Sequence, residues 1–198
     1  MSASLQSATE VLFFDRKEDL FVSIQTPLLV LRSAQAADFD DFKTIFCSRW
    51  IMQRHGKEKW TETKLREILR RVFVERWVNK FPYGMFSVFS TGHSGSFVGC
   101  VRLDFQQESH KESHIKIECL FRDFVTKDYE CQAITAIIKN YIPSLVTQNR
   151  CLGMRPEVVV AQTSNAHLAK AFEEVGMSKD SSSRLGTAAS FSLTINRT

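Results

Sequence analysis

Ser164-Asn165-Ala166-His167-Leu168-Ala169-Lys170-Ala171-Phe172-Glu173-Glu174-Val175-Gly176-Met177 is the stretch of the 198-residue chain from which the rest can be read. Asn165 is a preferred helix N-cap, because its short side chain accepts a hydrogen bond from a first-turn amide. Leu168, Phe172 and Val175 recur at three- and four-residue spacing, so they share one helix face. Gly176 stands where a helix ends in a left-handed residue, a conformation open to glycine at no Cβ penalty. The segment predicts a capped amphipathic helix. Upstream, Glu157 to Ala161 (with Val158-Val159-Val160) reads as a short buried strand; downstream, Ser190 to Ile195 reads as a last strand.

Towards the N-terminus, Ile134, Ile137, Ile138 and Tyr141 give a helix from Tyr129 to about Ile142, which Pro143 is expected to close. His114 to Phe121 alternates, with Ile115, Ile117 and Cys119 on one side. Met85 to Ser90 and Ser96 to Asp104 are two further strands, flanking the turn residues Thr91 to Gly95. Polar Gln106 to Glu112 is a second loop, so the three strands form an antiparallel meander. Leu65, Ile68, Leu69, Val72 and Phe73 make an apolar stripe along Thr61 to Lys80, with Thr61 as N-cap and Phe81-Pro82 as the stop. Phe39, Phe42, Ile45 and Phe46 predict a helix within Asp38 to Ser48, and Leu28 to Leu31 predicts a strand before it. The class is mixed α/β, with a mostly antiparallel central sheet flanked by helices. No Pro/Gly/Ser-rich linker divides the chain, so residues 26–198 read as one domain. Residues 1–25 read as an N-terminal extension, whose apolar clusters Val11 to Phe14 and Leu20 to Val22 pack on the body.

Three segments resemble the GNAT superfamily of acetyl-CoA-dependent N-acetyltransferases, in particular its branch of ribosomal-protein N-terminal acetyltransferases. Thr26-Pro27-Leu28-Leu29-Val30-Leu31-Arg32, followed by Asp38, is similar to that branch's Thr-x-Arg-Leu-x-Leu-Arg strand before an acidic helix start, with Leu28 in place of the first Arg. Ser164 to Met177 is similar to the family's Asn-x-x-Ser-x-x-x-Leu-Glu-x-x-Gly-Phe. Asn165, Glu173 and Gly176 match, and Leu168 replaces the Ser. Leu120 to Ala133 aligns with the cofactor loop, Arg/Gln-x-x-Gly-x-Gly/Ala. There Val125 takes the Arg/Gln position, Asp128 the first Gly and Glu130 the Gly/Ala, while Tyr129 and Ala133 fit the branch.

The resemblance implies a GNAT-type sheet and transfer of acetyl from acetyl-CoA to a primary amine, on a protein N-terminus or a small molecule. It places cofactor contacts at Leu120, Phe121, Val125, Thr126, Lys127, Asp128, Tyr129, Glu130 and Asn165. In this fold the pyrophosphate lies on backbone amides at a helix N-terminus, an anion site. A carboxylate about 6 Å from one phosphate charge, at an effective dielectric of about 20, costs roughly 3 kcal/mol, on the order of a hundredfold in affinity. Asp128 and Glu130 therefore either repel the phosphates, turn outward, or cap the amides themselves. The last case leaves a non-catalytic domain of the same fold that binds another ligand or a protein partner.

Amine acetylation needs a group that takes a proton. In the ungapped alignment Ile115 occupies the family's usual Glu position. Glu118, on the same strand, is the candidate catalytic base; a solvated strand residue is the plainer account. His167 is the one titratable ring on the last helix, and an exposed first-turn residue is its plainer account. Trp50, His55 and Tyr83, with Arg54 and Trp60, fall in or near segments expected to form the acceptor cleft, and core or surface packing explains them equally well. His110 and His114 flank Glu112, a weak metal pattern, so no metal is assigned.

The formal charge of +4 suits an anionic ligand without demanding one. The basic run Lys57, Lys59, Lys64, Arg66, Arg70, Arg71, Arg76 and Lys80 is interspersed with Glu62, Glu67 and Glu75. It reads as a solvated helix face rather than a nucleic-acid surface. The five cysteines, Cys47, Cys100, Cys119, Cys131 and Cys151, are odd in number and lack a C-x-x-C. They read as reduced thiols of a cytoplasmic protein, with one free reactive Cys as the alternative. Met1 to Glu10 holds no signal-like apolar run, and no stretch reaches the roughly 18 apolar residues of a membrane span.

Overall fold

The period-two alternation of the central strands sorts their side chains into two cores, one on each face of a single twisted sheet. The computed structural model describes residues 9–92, 95–107, 113–123, 125–148, 150–151, 156–180 and 188–195. Within them the chain runs β1 (Glu10–Asp15), β2 (Leu20–Gln25), β3 (Leu29–Ser33), α1 (Phe39–Phe46), α2 (Arg49–Arg54), α3 (Glu62–Ile68) and α4 (Glu75–Val78). It continues through β4 (Met85–Ser90), β5 (Phe97–Gln107), β6 (Ser113–Phe121), α5 (Lys127–Thr135), α6 (Ile142–Thr147), β7 (Val158–Thr163), α7 (Ala166–Val175), β8 (Ser178–Lys179) and β9 (Ala189–Thr194). The described strands form one sheet in the order β1-β2-β3-β4-β5-β6-β7-β9-β8. All neighbours are antiparallel except β6 and β7. Leu103, Ile115, Ile117, Cys119 and Phe121 pack with α5, α6 and α7. Cys100 and Leu120, from the opposite face, pack with Phe42, Phe46, Leu65 and Phe73 of the first helices. No helix among the described residues is long and apolar enough to cross a membrane.

Asp38, only 2% exposed, ties the first expected strand to the first helix. Its carboxylate accepts from both terminal nitrogens of Arg32 (2.9 and 2.6 Å), from the Gln35 amide (2.9 Å) and from the Ser87 hydroxyl of β4 (2.6 Å). A bidentate guanidinium–carboxylate pair fixes orientation as well as distance. Gly99 permits the close approach of β5 to β6, since a Cβ there would lie 2.4 Å from the Phe121 ring and 2.6 Å from the Leu120 carbonyl.

The structure departs from the sequence reading in three places. The two apolar clusters before Thr26 are paired strands: β1 pairs with β2, and β2 with β3, extending the sheet at its edge. Pro143 does not end the central helix, because a π-helical turn over Ala136–Tyr141 precedes it and the chain continues as α6. That wider turn accommodates the ring, and the Ser144 hydroxyl takes the Asn140 carbonyl at 2.7 Å. A second π turn, Leu69–Val74, joins α3 to α4. The basic run is exposed apart from half-buried Arg76, as expected, and three of its members also form long-range ion pairs: Lys57 with Glu118, Arg76 with Asp104 and Lys80 with Asp15. Residues His93, His110 and Glu112 lie outside the described residues.

Candidate functional site

Strands β6 and β7 run parallel and pair from His114↔Val158 to Ile117↔Ala161. Beyond that point they diverge. Glu118 to Phe121 stay registered with β5, while Gln162 and Thr163 stay registered with β9. Each arm of the opening then runs into a helix N-terminus, α5 after β6 and α7 after β7. A gap at the carboxyl ends of parallel strands, faced by two helix N-termini, is a place for an anionic or amide-rich ligand.

At the β7 arm Asn165 is the N-cap of α7: its Oδ1 accepts the His167 amide at 2.9 Å, and its own amide donates to Thr163 Oγ1 at 3.0 Å. Gly176 ends the helix at φ 100°, as its chemistry predicts. The other end of the Asn165 side-chain amide, Nδ2, is buried with no partner among the described residues. Asn165→Ala is expected to remove about 1 kcal/mol of stability through the lost cap. The same substitution removes the unpartnered donor, so it is expected to weaken binding of a ligand that accepts from it. Thermal melts and calorimetry check both; unchanged values in both would refute the dual role.

At the β6 arm Thr126 caps α5 without using its side chain. Its carbonyl accepts the Tyr129 and Glu130 amides at 3.1 and 3.3 Å. The amides of Lys127 and Asp128 precede the first amide so bonded and have no helical partner. No described side chain caps them, so the loop carboxylates do not occupy the anion site. The two acids behave differently: Asp128 is exposed, whereas Glu130 is buried on the inner face. Lys127 is engaged by Glu174 of α7, which also accepts from Cys131 at 3.1 Å. Val125 and Tyr129 are half-buried against the core, while the Leu120 and Phe121 side chains belong to it.

The end of α2 spans the two arms. The Arg54 guanidinium donates to Asp123 Oδ1 at 3.2 Å, and the Arg54 carbonyl accepts from Ser164 Oγ at 3.5 Å. Three buried side-chain atoms have no hydrogen-bond partner among the described residues: His55 Nε2 next to Arg54, Glu130 Oε2 on α5 and Asn165 Nδ2 on α7. Each is a cost of about 1–3 kcal/mol that a bound ligand could relieve. Burial pushes Glu130 up to about 7, with Arg54 opposing it. Burial pulls His55 down to about 4, helped by Arg54 and Lys57, so this ring is neutral at pH 7. Burial raises all five thiols, Cys131 to about 12, so none is a ready thiolate nucleophile.

Glu118 lies on β6 at the start of the divergence and is ion-paired with Lys57. Arg102 approaches it at 3.9 Å. The structure thus gathers Glu118, Val125 to Glu130, Asn165 and His55 around one opening. Trp50 is 70% exposed, a surface ring. Tyr83 packs on Phe81 and Phe105, beside the paired end of β6. Lys57, Asp123 and Ser164 join the site unforeseen; only their tertiary contacts reveal them.

No protein-family model and no curated protein matches the sequence. Solved structures do. A GNAT-family acetyltransferase from Bacillus anthracis is 15% identical over 87% of this chain and 97% of its own, with a TM-score of 0.62. An acetyltransferase from Salmonella typhimurium that modifies the N-terminal serine of ribosomal protein L7/L12 is 11% identical, over 86% and 97%, at 0.62. A Vibrio cholerae spermidine N-acetyltransferase, solved with CoA and spermine, is 13% identical, over 84% and 95%, at 0.62. Likeness at a TM-score of 0.62 over most of both chains shows that this chain has the fold of the GNAT-family acetyltransferases.

Proposed function

We propose that the chain is an N-acetyltransferase that uses acetyl-CoA and works in the opening between β6 and β7. The observation that carries this reading is the divergence of the two strands between helix N-termini, with buried, unpartnered Asn165 Nδ2 beside it. The residues present fit the cofactor. The Lys127 and Asp128 amides with the α5 dipole would hold phosphate oxygens, and Asn165 Nδ2 would donate to an amide oxygen of the pantetheine arm. When bound, acetyl-CoA supplies an activated acyl group as a thioester. Glu118 takes the proton that the amine must lose, and its ion pair with Lys57 orients the carboxylate. The acceptor is a primary amine, on a protein N-terminus or a small molecule.

A second reading is a non-catalytic domain of this fold. It is favoured by Glu130, a carboxyl where the resembled family keeps a small residue, and by the engagement of Glu118 in an ion pair. Calorimetry with acetyl-CoA, followed by transfer assays on peptides with free N-termini and on spermine, separates the two. Micromolar binding with turnover supports the enzyme; binding without turnover on any acceptor supports the second reading.

A further inference from the structure

Glu130 is the fourth residue of α5, and its side chain turns inward from the first turns of that helix. It is 3% exposed, and its Oε2 meets no donor among the described residues. A carboxylate buried this way lacks the two or more donors that would stabilise its charge, whereas a carboxylic acid is a single donor in search of an acceptor. We propose that Glu130 is a cofactor-binding residue that acts as a carboxylic acid, donating its proton to an oxygen of acetyl-CoA, so that cofactor binding is coupled to proton uptake. The inference rests on the acetyl-CoA reading above and adds to it the protonation state of one contact.

The surroundings support the neutral form. From the end of α2, Arg54 is the cation that faces Glu130, and Asp123 already holds its guanidinium. His55, next in that segment, is neutral. From β6, Cys119 is a neutral thiol beneath it. On α5 itself, Lys127 is committed to Glu174 of α7, Asp128 points to solvent, and Cys131 is bonded to the same Glu174. Glu130 thus sits near the midpoint of its titration at neutral pH, at about 7. Phosphate charge arriving at the α5 N-terminus disfavours the carboxylate further, so the proton is bound more tightly in the complex than in the free protein. Affinity is then constant below the free-state midpoint and falls as pH rises through it, by up to about tenfold per pH unit.

Calorimetry with acetyl-CoA between pH 7 and 8.5, in two buffers of different ionisation enthalpy, reads both the affinity and the protons exchanged. This window lies above the second phosphate pKa of about 6. It also lies above the titration of His55 and below that of Cys131. The parent protein is expected to lose affinity across the window and to take up nearly one proton per ligand at pH 8.5. Glu130→Gln keeps shape and a donor, and is expected to bind with flat pH dependence and no uptake. At pH 8.5 it should bind about thirtyfold more tightly than the parent, the ratio of ionised to neutral carboxyl there. Glu130→Ala, a second variant that cannot donate, should also be flat but weaker than Glu130→Gln. Parent affinity that does not change with pH, with no buffer-dependent enthalpy, overturns the proton coupling and leaves the cofactor reading intact. No binding by the parent or either variant at any pH, with all three folded by circular dichroism, overturns both.

Discussion

Asp38→Ala is expected to lower the unfolding free energy by about 3–5 kcal/mol, the usual cost of removing one partner from a buried ion pair. The reason lies in the number of groups that converge on this carboxylate. Arg32 reaches it through two nitrogens, the Gln35 amide and the Ser87 hydroxyl through one contact each. Truncation orphans all of them at the junction of β3, β4 and the first helix. Arg32 stays partly wetted, with 22% of its side chain exposed, which places the loss towards the lower end. Asp38→Asn retains acceptance from Ser87 and Gln35 but not the bidentate pair, so it should lose less than the alanine variant. For a chain of this size the alanine variant should melt about 6–15 °C lower. Urea denaturation gives the free energy directly; a loss below about 1 kcal/mol would show that the pair merely accompanies the fold.

Glu118→Gln is the largest expected effect on activity. Glu118 is the proposed acceptor of the amine proton, and its loss should then reduce kcat by about 10²–10⁴-fold. Affinity for acetyl-CoA should stay within about threefold, because Glu118 stands on the opposite strand face from the α5 side of the opening. The basis is geometric: Glu118 is the first residue of β6 beyond its pairing with β7, which ends at Ile117↔Ala161. Lys57→Met leaves the carboxylate but removes the ion pair that orients it, so it should lower kcat by less than Glu118→Gln. If Glu118→Gln keeps its activity within threefold on an accepted amine, the ion pair is structural and the proton goes elsewhere. Both measurements need only the folded protein and one accepted amine.

The local elements were legible because their signals are local. Asn165 caps α7 and Gly176 ends it, as a short amide and a residue without Cβ dictate. Thr61 accepts the Lys64 amide at the start of α3, and the meander from Met85 to Phe121 pairs as its alternation implies. Pro143 misled because proline's rule assumes α-helical spacing, and the π turn before it relaxes that spacing. The strands at Glu10 and Leu20 were read only as apolar clusters because Val11 to Phe14 and Leu20 to Val22 are continuous apolar runs without two-fold alternation, which periodicity alone does not assign to a strand.

The sequence by itself determined the helices, their caps and most strands, because periodicity and capping act over three or four residues. It also supplied the chemistry of the cofactor loop, two acids where a small pair is usual in the resembled family. Only the tertiary structure decided that these acids differ, Asp128 facing water and Glu130 the interior. Only it brought Arg54 to Asp123, 69 residues on, and to Ser164, 110 residues on. Such meetings depend on how helices pack across a sheet and where two parallel strands part. No local pattern encodes that distance, so the protonation state of Glu130 could not be read until the fold had buried it.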